Sequence, residues 1–211
     1  MMLLLFASPV ISQTTELRSA FVSANLGGFV ALREGFSKVY DSNIGFAFGA
    51  GLGLPLSTRM YLYGKATYFS KTGVPVIYTY TYQNGNLVSV TETRDGTASF
   101  KQWIINGGLQ YNVFLSEEYA LPINGGVTYT RISEEQRSSS GSVSSSTDGT
   151  GILGFFAGVG LERNFQDSPF SLFSEIQYNY SRRDILTQVG NYGGWNLTLG
   201  FRYYFEYRRR S

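Results

Sequence analysis

Four ionisable residues stand where the chain otherwise alternates apolar with small or polar side chains: Lys65, Glu162, Glu175 and Arg202. Two carboxylates brought together can act as general acid and base if the environment holds one of them protonated. Lys65 and Arg202 argue against that use, because a neighbouring cation keeps a carboxylate ionised. The expectation is ion pairing, since an unpaired charge in a narrow protein interior is costly. A proton or ion path along the same residues would require a continuous wet pore. The sequence has no His and no Cys. Ser–His catalysis, thiolate metal sites and disulfides are therefore excluded, and the commonest metal ligand is missing. Gly49, Gly51 and Gly53 superficially suggest a phosphate loop. No helix and no Lys at the required spacing follow them, so alternate glycines on one strand face explain them better. Asn179-Tyr180-Ser181 and Asn196-Leu197-Thr198 match the glycosylation pattern but fall inside predicted strands and are read as chance. No catalytic residue, cofactor or metal site is expected.

The elements that must position these charges are strands. Residues 195–205 read WNLTLGFRYYF, with Trp195, Leu197, Leu199, Phe201, Tyr203 and Phe205 on one face. Asn196, Thr198, Gly200, Arg202 and Tyr204 take the other, a strict period of two. Such a length suits a tilted strand crossing a bilayer. A strand in lipid cannot leave its backbone groups unpaired, so a closed barrel is required. The same alternation recurs at 21–32, 44–54, 60–71, 100–114, 119–131, 152–165 and 170–182, giving eight strands. Outward positions are apolar, and inward positions are polar or Gly, the inverse of a soluble barrel. Eight strands enclose only enough room for side chains, so no wide channel is expected.

Connection lengths alternate as well. Segments 55–59, 115–118 and 166–169 are tight, whereas 33–43, 71–99, 133–151 and 183–194 are long and polar. Short turns at one end and long loops at the other are typical of outer-membrane barrels, with the short turns periplasmic. An even strand number then places both termini in the periplasm. Within 71–99 the run VIYTYTYQNGNLVSVT alternates again around Asn84-Gly85, a type I′ turn signal. It predicts a hairpin rising above the membrane and continuing the barrel strands; a ten-strand barrel is the alternative. The Ser-rich run 138–147 predicts a solvated loop. Tyr78, Tyr80 and Tyr82 are read as part of an aromatic girdle in preference to a binding surface.

Composition agrees. Charged residues are only 15%, against about a quarter in typical domains. Aromatic residues are 16%, and there are 25 Gly, a Tyr/Phe/Gly-rich balance that suits barrels with aromatic girdles. A net charge of +2 gives no pull towards nucleic acid. Residues 1–12, MMLLLFASPVIS, read as the end of a secretory signal peptide, though without a positive n-region. Residues 13–20 are a polar lead-in, 21–205 the barrel, and 206–211 a basic tail.

Thr198, Gly200, Tyr203 and Phe205 match the terminal recognition pattern of bacterial outer-membrane barrels: polar, x, Gly, two residues, aromatic, x, aromatic. On that motif, the strand pattern and the loop asymmetry, residues 21–205 resemble the small outer-membrane β-barrel domain family, which includes OmpX and the membrane domain of OmpA. The resemblance implies an all-β, eight-stranded antiparallel up-and-down barrel in the outer membrane. It also implies periplasmic chaperones and the barrel-assembly machinery as partners during biogenesis. The function expected is non-enzymatic: a barrel seated in outer-membrane lipid that presents long loops for adhesion, defence or partner binding. The rivals are a soluble lipocalin-like carrier of a lipophilic ligand, a narrow porin-like channel and a membrane-embedded enzyme. Known barrel enzymes generally rely on His, which disfavours the last.

Overall fold

The computed structural model describes residues 19–139, 143–185 and 188–205. The signal-like segment 1–12 and the tail 206–211 lie outside the described residues. Twelve strands and one short helix follow in order: β1 (Phe21–Ala31), α1 (Phe36–Tyr40), β2 (Ile44–Pro55), β3 (Met60–Gly73), β4 (Val76–Gln83), β5 (Asn86–Arg94), β6 (Thr97–Phe114), β7 (Tyr119–Arg137), β8 (Val143–Asn164), β9 (Phe170–Tyr180), β10 (Arg182–Ile185), β11 (Gln188–Asn191) and β12 (Gly194–Tyr204). Eight of them close into one antiparallel barrel in the order β1, β12, β9, β8, β7, β6, β3, β2. The last strand seals the first, from Phe21 opposite Tyr204 to Ala31 opposite Gly194. No barrel strand is left with an open edge, as a strand in hydrocarbon requires.

The alternation decides which residues face where. Even-numbered positions of β12 are buried, and Trp195, Leu197, Leu199, Phe201 and Tyr203 are exposed. Leu153, Val127 and Phe46 are 75%, 66% and 63% exposed on other strands, so the outer wall is a continuous apolar belt. Aromatic rings border it at both ends. Tyr68 and Trp103, Tyr178 and Trp195, and Phe155 and Tyr180 pack at centroid distances of 4.9, 4.9 and 5.0 Å towards the long-loop end. Phe170 and Tyr203, and Tyr203 and Phe205, do so at 5.2 and 5.4 Å towards the tight-turn end. Trp195 and Tyr203 are eight residues apart on β12. At about 3.4 Å per residue and a tilt of about 40°, that spans about 21 Å, close to the apolar band of a membrane barrel.

Serines fix the tight turns. Ser57 Oγ accepts from the amide of Met60 (3.2 Å), and Ser116 Oγ accepts from that of Tyr119 (3.1 Å). The amides of Leu56 and Leu115 donate to the carbonyls of the same two residues, at 2.8 and 2.9 Å. Two Leu-Ser pairs thus build the same turn twice. Both ends of the barrel sheet lie at this tight-turn end, where the Phe205 amide donates to Ala20 O (2.9 Å).

The long-loop end departs from expectation in four places. Segment 33–43 holds α1, which turns Phe36 and Tyr40 into the barrel mouth. The segment 133–151 is mostly sheet: β7 and β8 pair out to Arg137 opposite Val143, so much of the Ser-rich run is strand. Segment 183–194 contains the small β10–β11 hairpin. The β4–β5 hairpin exists and turns at Asn84 (φ 53°) and Gly85 (φ 81°), the two positive angles of a type I′ turn. It forms its own two-stranded sheet instead of continuing the barrel ladder, so the barrel has eight strands and not ten. Tyr78, Tyr80 and Tyr82, at 42%, 55% and 64% exposure, belong to this detached hairpin and not to a girdle.

The interior is more aromatic than the sequence reading allows. Phe29, Phe36, Tyr40, Phe69 and Phe100 form a cluster under the long loops. Phe21, Tyr61, Tyr63, Phe156 and Tyr204 form a second one. Inward glycines make room for the large rings: a Cβ on Gly53 would stand 2.2 Å from Phe21, and one on Gly45 2.5 Å from Phe69. Polar side chains fill the space between the clusters.

Candidate functional site: a bonded lumen beneath an aromatic lid

The four expected charges all reach the lumen and are all buried. Register sets their partners. Glu162 on β8 and Arg202 on β12 flank β9, where Phe173 lies opposite Glu162 and Ser171 opposite Arg202. Arg202 Nη1 donates to Glu162 Oε2 (2.6 Å), and Nη2 donates to Gln110 Oε1 (3.2 Å) on the far wall. Its guanidinium lies 4.6 Å from the ring centroids of both Phe21 and Phe173, a sandwich that favours a flat, weakly hydrated cation. Glu162 Oε1 accepts from Ser171 Oγ and Tyr204 OH, each at 2.6 Å.

Lys65 and Glu175 stand on β3 and β9, diametrically opposite in the barrel order. Lys65 Nζ donates to Glu175 Oε1 across the lumen (2.5 Å). Asn124 Nδ2 donates to Glu175 Oε2 (2.7 Å), and the Tyr63 hydroxyl approaches the same oxygen at 3.4 Å. Asn106 Nδ2 donates to Gln177 Oε1 (2.9 Å), adding a tie across the lumen between β6 and β9. The four charges therefore make two ion-pair clusters. Glu175, although on the strand next to Arg202, takes its direct partner from across the barrel. Both carboxylates accept from a cation and from neutral donors, an arrangement for holding charge in place instead of transferring protons. Asn25, Asn179, Asn196 and Thr198 also line the lumen, and their side chains make no hydrogen bond among the described residues.

Above the lumen, α1 forms a lid. Phe36 packs edge-on to Phe100 at 5.1 Å and lies 4.4 Å from Tyr40. Lys71 Nζ donates to the carbonyls of Ser42 (2.8 Å) and Ile44 (2.5 Å), and the Val74 amide donates to Val39 O (2.9 Å). Glu134, at the inward-facing end of β7, closes the latch. Its Oε2 accepts from Arg33 Nη1 (2.5 Å) and its Oε1 from Tyr40 OH (2.9 Å). The polar composition of 133–151 reads as loop, which hides this latch. The signal was present in Thr130, Ile132 and Glu134, which continue the period of two, and in Phe36 and Tyr40, spaced one helical turn apart.

Burial, reinforced by the Glu134 carboxylate, raises the pKa of the Tyr40 phenol well above the ordinary tyrosine value. Burial works against the Arg33 charge, but Glu134, with Tyr192 and Tyr40, outweighs it and raises that pKa too. A raised folded value means the latch is fully in place below the ordinary tyrosine range, near pH 10, and is lost as pH climbs through the folded value. Spectroscopic titration of phenolate absorbance should show a late phenol that disappears in Tyr40→Phe. If Tyr40→Phe instead loses a phenol that titrates in the ordinary range near pH 10, Tyr40 is not latched.

Thr198 and Gly200 face the lumen, while Tyr203 and Phe205 point outward in the lower girdle. No family model and no curated protein sequence matches the chain. Solved structures do. Neisserial surface protein A (NspA) superposes with a TM-score of 0.57 at 13% identity, over 88% of this chain and 97% of that one. The outer membrane protein OprG from Pseudomonas aeruginosa superposes with a TM-score of 0.60 at 10% identity, over 92% and 99% of the two chains. The fold is that of the small outer-membrane barrels. At such identities the likeness extends to the fold, and function must be argued from this chain's own surfaces.

Proposed function

We propose that this protein is a non-enzymatic barrel of the bacterial outer membrane that anchors there and presents its long loops outward for adhesion, defence or partner binding. The polarity of the wall carries the reading: an apolar, doubly girdled outer face surrounds a lumen that holds buried ion pairs and amides between two aromatic clusters. In water that belt would be one large exposed apolar patch, while in lipid it is the solvated surface. The same inversion opposes a soluble carrier, whose lipophilic ligand would have to share the lumen with Lys65, Glu175, Glu162 and Arg202. On this reading the tight turns and both barrel ends face the periplasm. Periplasmic chaperones and the barrel-assembly machinery escort the chain, the latter recognising Thr198, Gly200, Tyr203 and Phe205. The detached β4–β5 hairpin, exposed on both faces, is the outward element best placed to meet a partner.

The test is refolding into detergent micelles and phosphatidylcholine vesicles. The folded protein should migrate differently on a cold gel with and without boiling, and should float with the vesicles. On intact cells, external protease should cut within 76–94 and leave the tight turns untouched. A protein that stays soluble and does not float would reverse the assignment.

Asn25, Asn179, Asn196 and Thr198 favour a second reading, a narrow water or ion path. The bonds that cross the lumen oppose it, and no steady single-channel conductance is expected in a planar bilayer. Reproducible unitary currents from the unaltered protein would establish the channel instead.

A further inference from the structure

Most basic side chains at the long-loop end have a partner. Arg33 and Arg137 pair with Glu134 and Glu135 at 2.5 Å, Arg94 with Asp41 at 3.3 Å, and Lys71 holds two carbonyls. Lys101 and Arg131 differ. Both are exposed on the outer wall, and neither makes a hydrogen bond or ion pair among the described residues. They edge a shallow hollow lined by Phe48, Tyr68, Lys101, Trp103, Arg131 and Ser133.

The sheet register builds this hollow. Phe48 lies opposite Tyr68, Tyr68 opposite Trp103, and Trp103 opposite Arg131, one row across β2, β3, β6 and β7. The three rings form a continuous shelf, with centroids 5.3 and 4.9 Å apart. Lys101 stands two residues beyond Trp103 and opposite Ser133, making it a diagonal neighbour of Arg131 within reach of one shared anion. On the other side of Arg131, Gly149 leaves room for the guanidinium: a Cβ there would lie 3.3 Å from Nη2. Arg131 stands level with the girdle ring Trp103 and Lys101 one step nearer the long loops, which on the membrane reading is the depth of lipid headgroups. At the tight-turn end the comparable outward Arg163 is already engaged, 4.0 Å from Glu118 and over the rings of Tyr119 and Phe165.

We infer that this hollow is a binding site for an anionic phospholipid whose phosphate is not neutralised by a cation of its own headgroup, held by that phosphate at Lys101 and Arg131 with its acyl chains on the aromatic shelf. The inference rests on the membrane reading above. Arginine takes phosphate oxygens in a two-pronged fork and lysine adds a point charge, while the rings offer the apolar floor that free inorganic phosphate would not use.

The two tryptophans allow a test. In a Trp195→Phe background Trp103 reports alone, and in Trp103→Phe the opposite wall reports through Trp195. Each protein is refolded into phosphatidylcholine vesicles containing a minor fraction of brominated phosphatidic acid or brominated phosphatidylcholine. Trp103 should be quenched by both, with apparent affinity about 30-fold higher for phosphatidic acid, as two interfacial cations supply. That preference should vanish in K101Q/R131Q and be absent at Trp195. Equal quenching of Trp103 by the two lipids would overturn the site while leaving the barrel inserted. Quenching by neither would overturn the membrane reading, and the site with it.

Discussion

Replacing Arg202 with Met is expected to lower the unfolding free energy of the barrel by about 3–5 kcal/mol, the usual cost of leaving one member of a buried ion pair alone. The Arg202 and Glu162 side chains are 1% and 0% exposed, so water cannot take over for the missing partner. Methionine keeps most of the volume between Phe21 and Phe173 but supplies no donor. Glu162 would lose the cation bonded to its Oε2 while Ser171 and Tyr204 still donate to its Oε1, and Gln110 Oε1 would lose its guanidinium donor. Denaturant titration of the protein in vesicles, followed by tryptophan fluorescence, measures the loss. A double variant with Glu162→Gln should recover much of it, because the stranded charge is gone. An Arg202→Met protein as stable as the original would mean that the pair is not closed in the membrane. The exposed Arg137–Glu135 pair is equally short, yet its side chains are 56% and 40% exposed, and Glu135→Gln should change stability little. Burial, not distance, separates the two cases.

The second large effect lies on the other side of the wall. Leu199→Arg, midway between the girdle residues Trp195 and Tyr203, is expected to destabilise the inserted barrel by about 2–4 kcal/mol. Leu199 is 59% exposed and touches no lumen group, so in an aqueous protein the same change would cost about 0.5 kcal/mol or less. The cost arises from placing a cation in hydrocarbon. It should shrink when arginine replaces an outward residue nearer a girdle, where the side chain reaches the interface. Matched unfolding in vesicles of mid-wall and girdle variants reads that gradient. A flat profile would show that the apolar belt does not face hydrocarbon.

The strongest ties between distant parts of the barrel run through its interior and over its mouth. The Lys65–Glu175 bridge ties opposite walls, and the Arg33–Glu134–Tyr40 latch holds α1 over the mouth. The β4–β5 hairpin stands outside that frame, which suits it to presentation of a surface.

What the sequence determined by itself was the wall. A strict period of two assigns each strand residue to one face or the other, and a one-residue slip would reverse every side chain, so the eight strands and the inward placement of Lys65, Glu162, Glu175 and Arg202 are legible in the sequence. The Asn84-Gly85 turn was legible too, because few dipeptides accept two positive φ angles. Tertiary structure decided what lies across the lumen and over it. That Lys65 meets Glu175 depends on which strands stand opposite after closure, and that Arg202 lies between Phe21 and Phe173 depends on register between strands distant in sequence. The lid was hidden because a five-residue helix in a polar loop has almost no periodicity to read, and its stability comes from Phe69, Phe100 and Glu134 on other strands. The row Phe48, Tyr68, Trp103 and Arg131 likewise exists only once four strands are aligned. Local alternation fixes a side chain's direction; its neighbours are fixed by how the sheet closes.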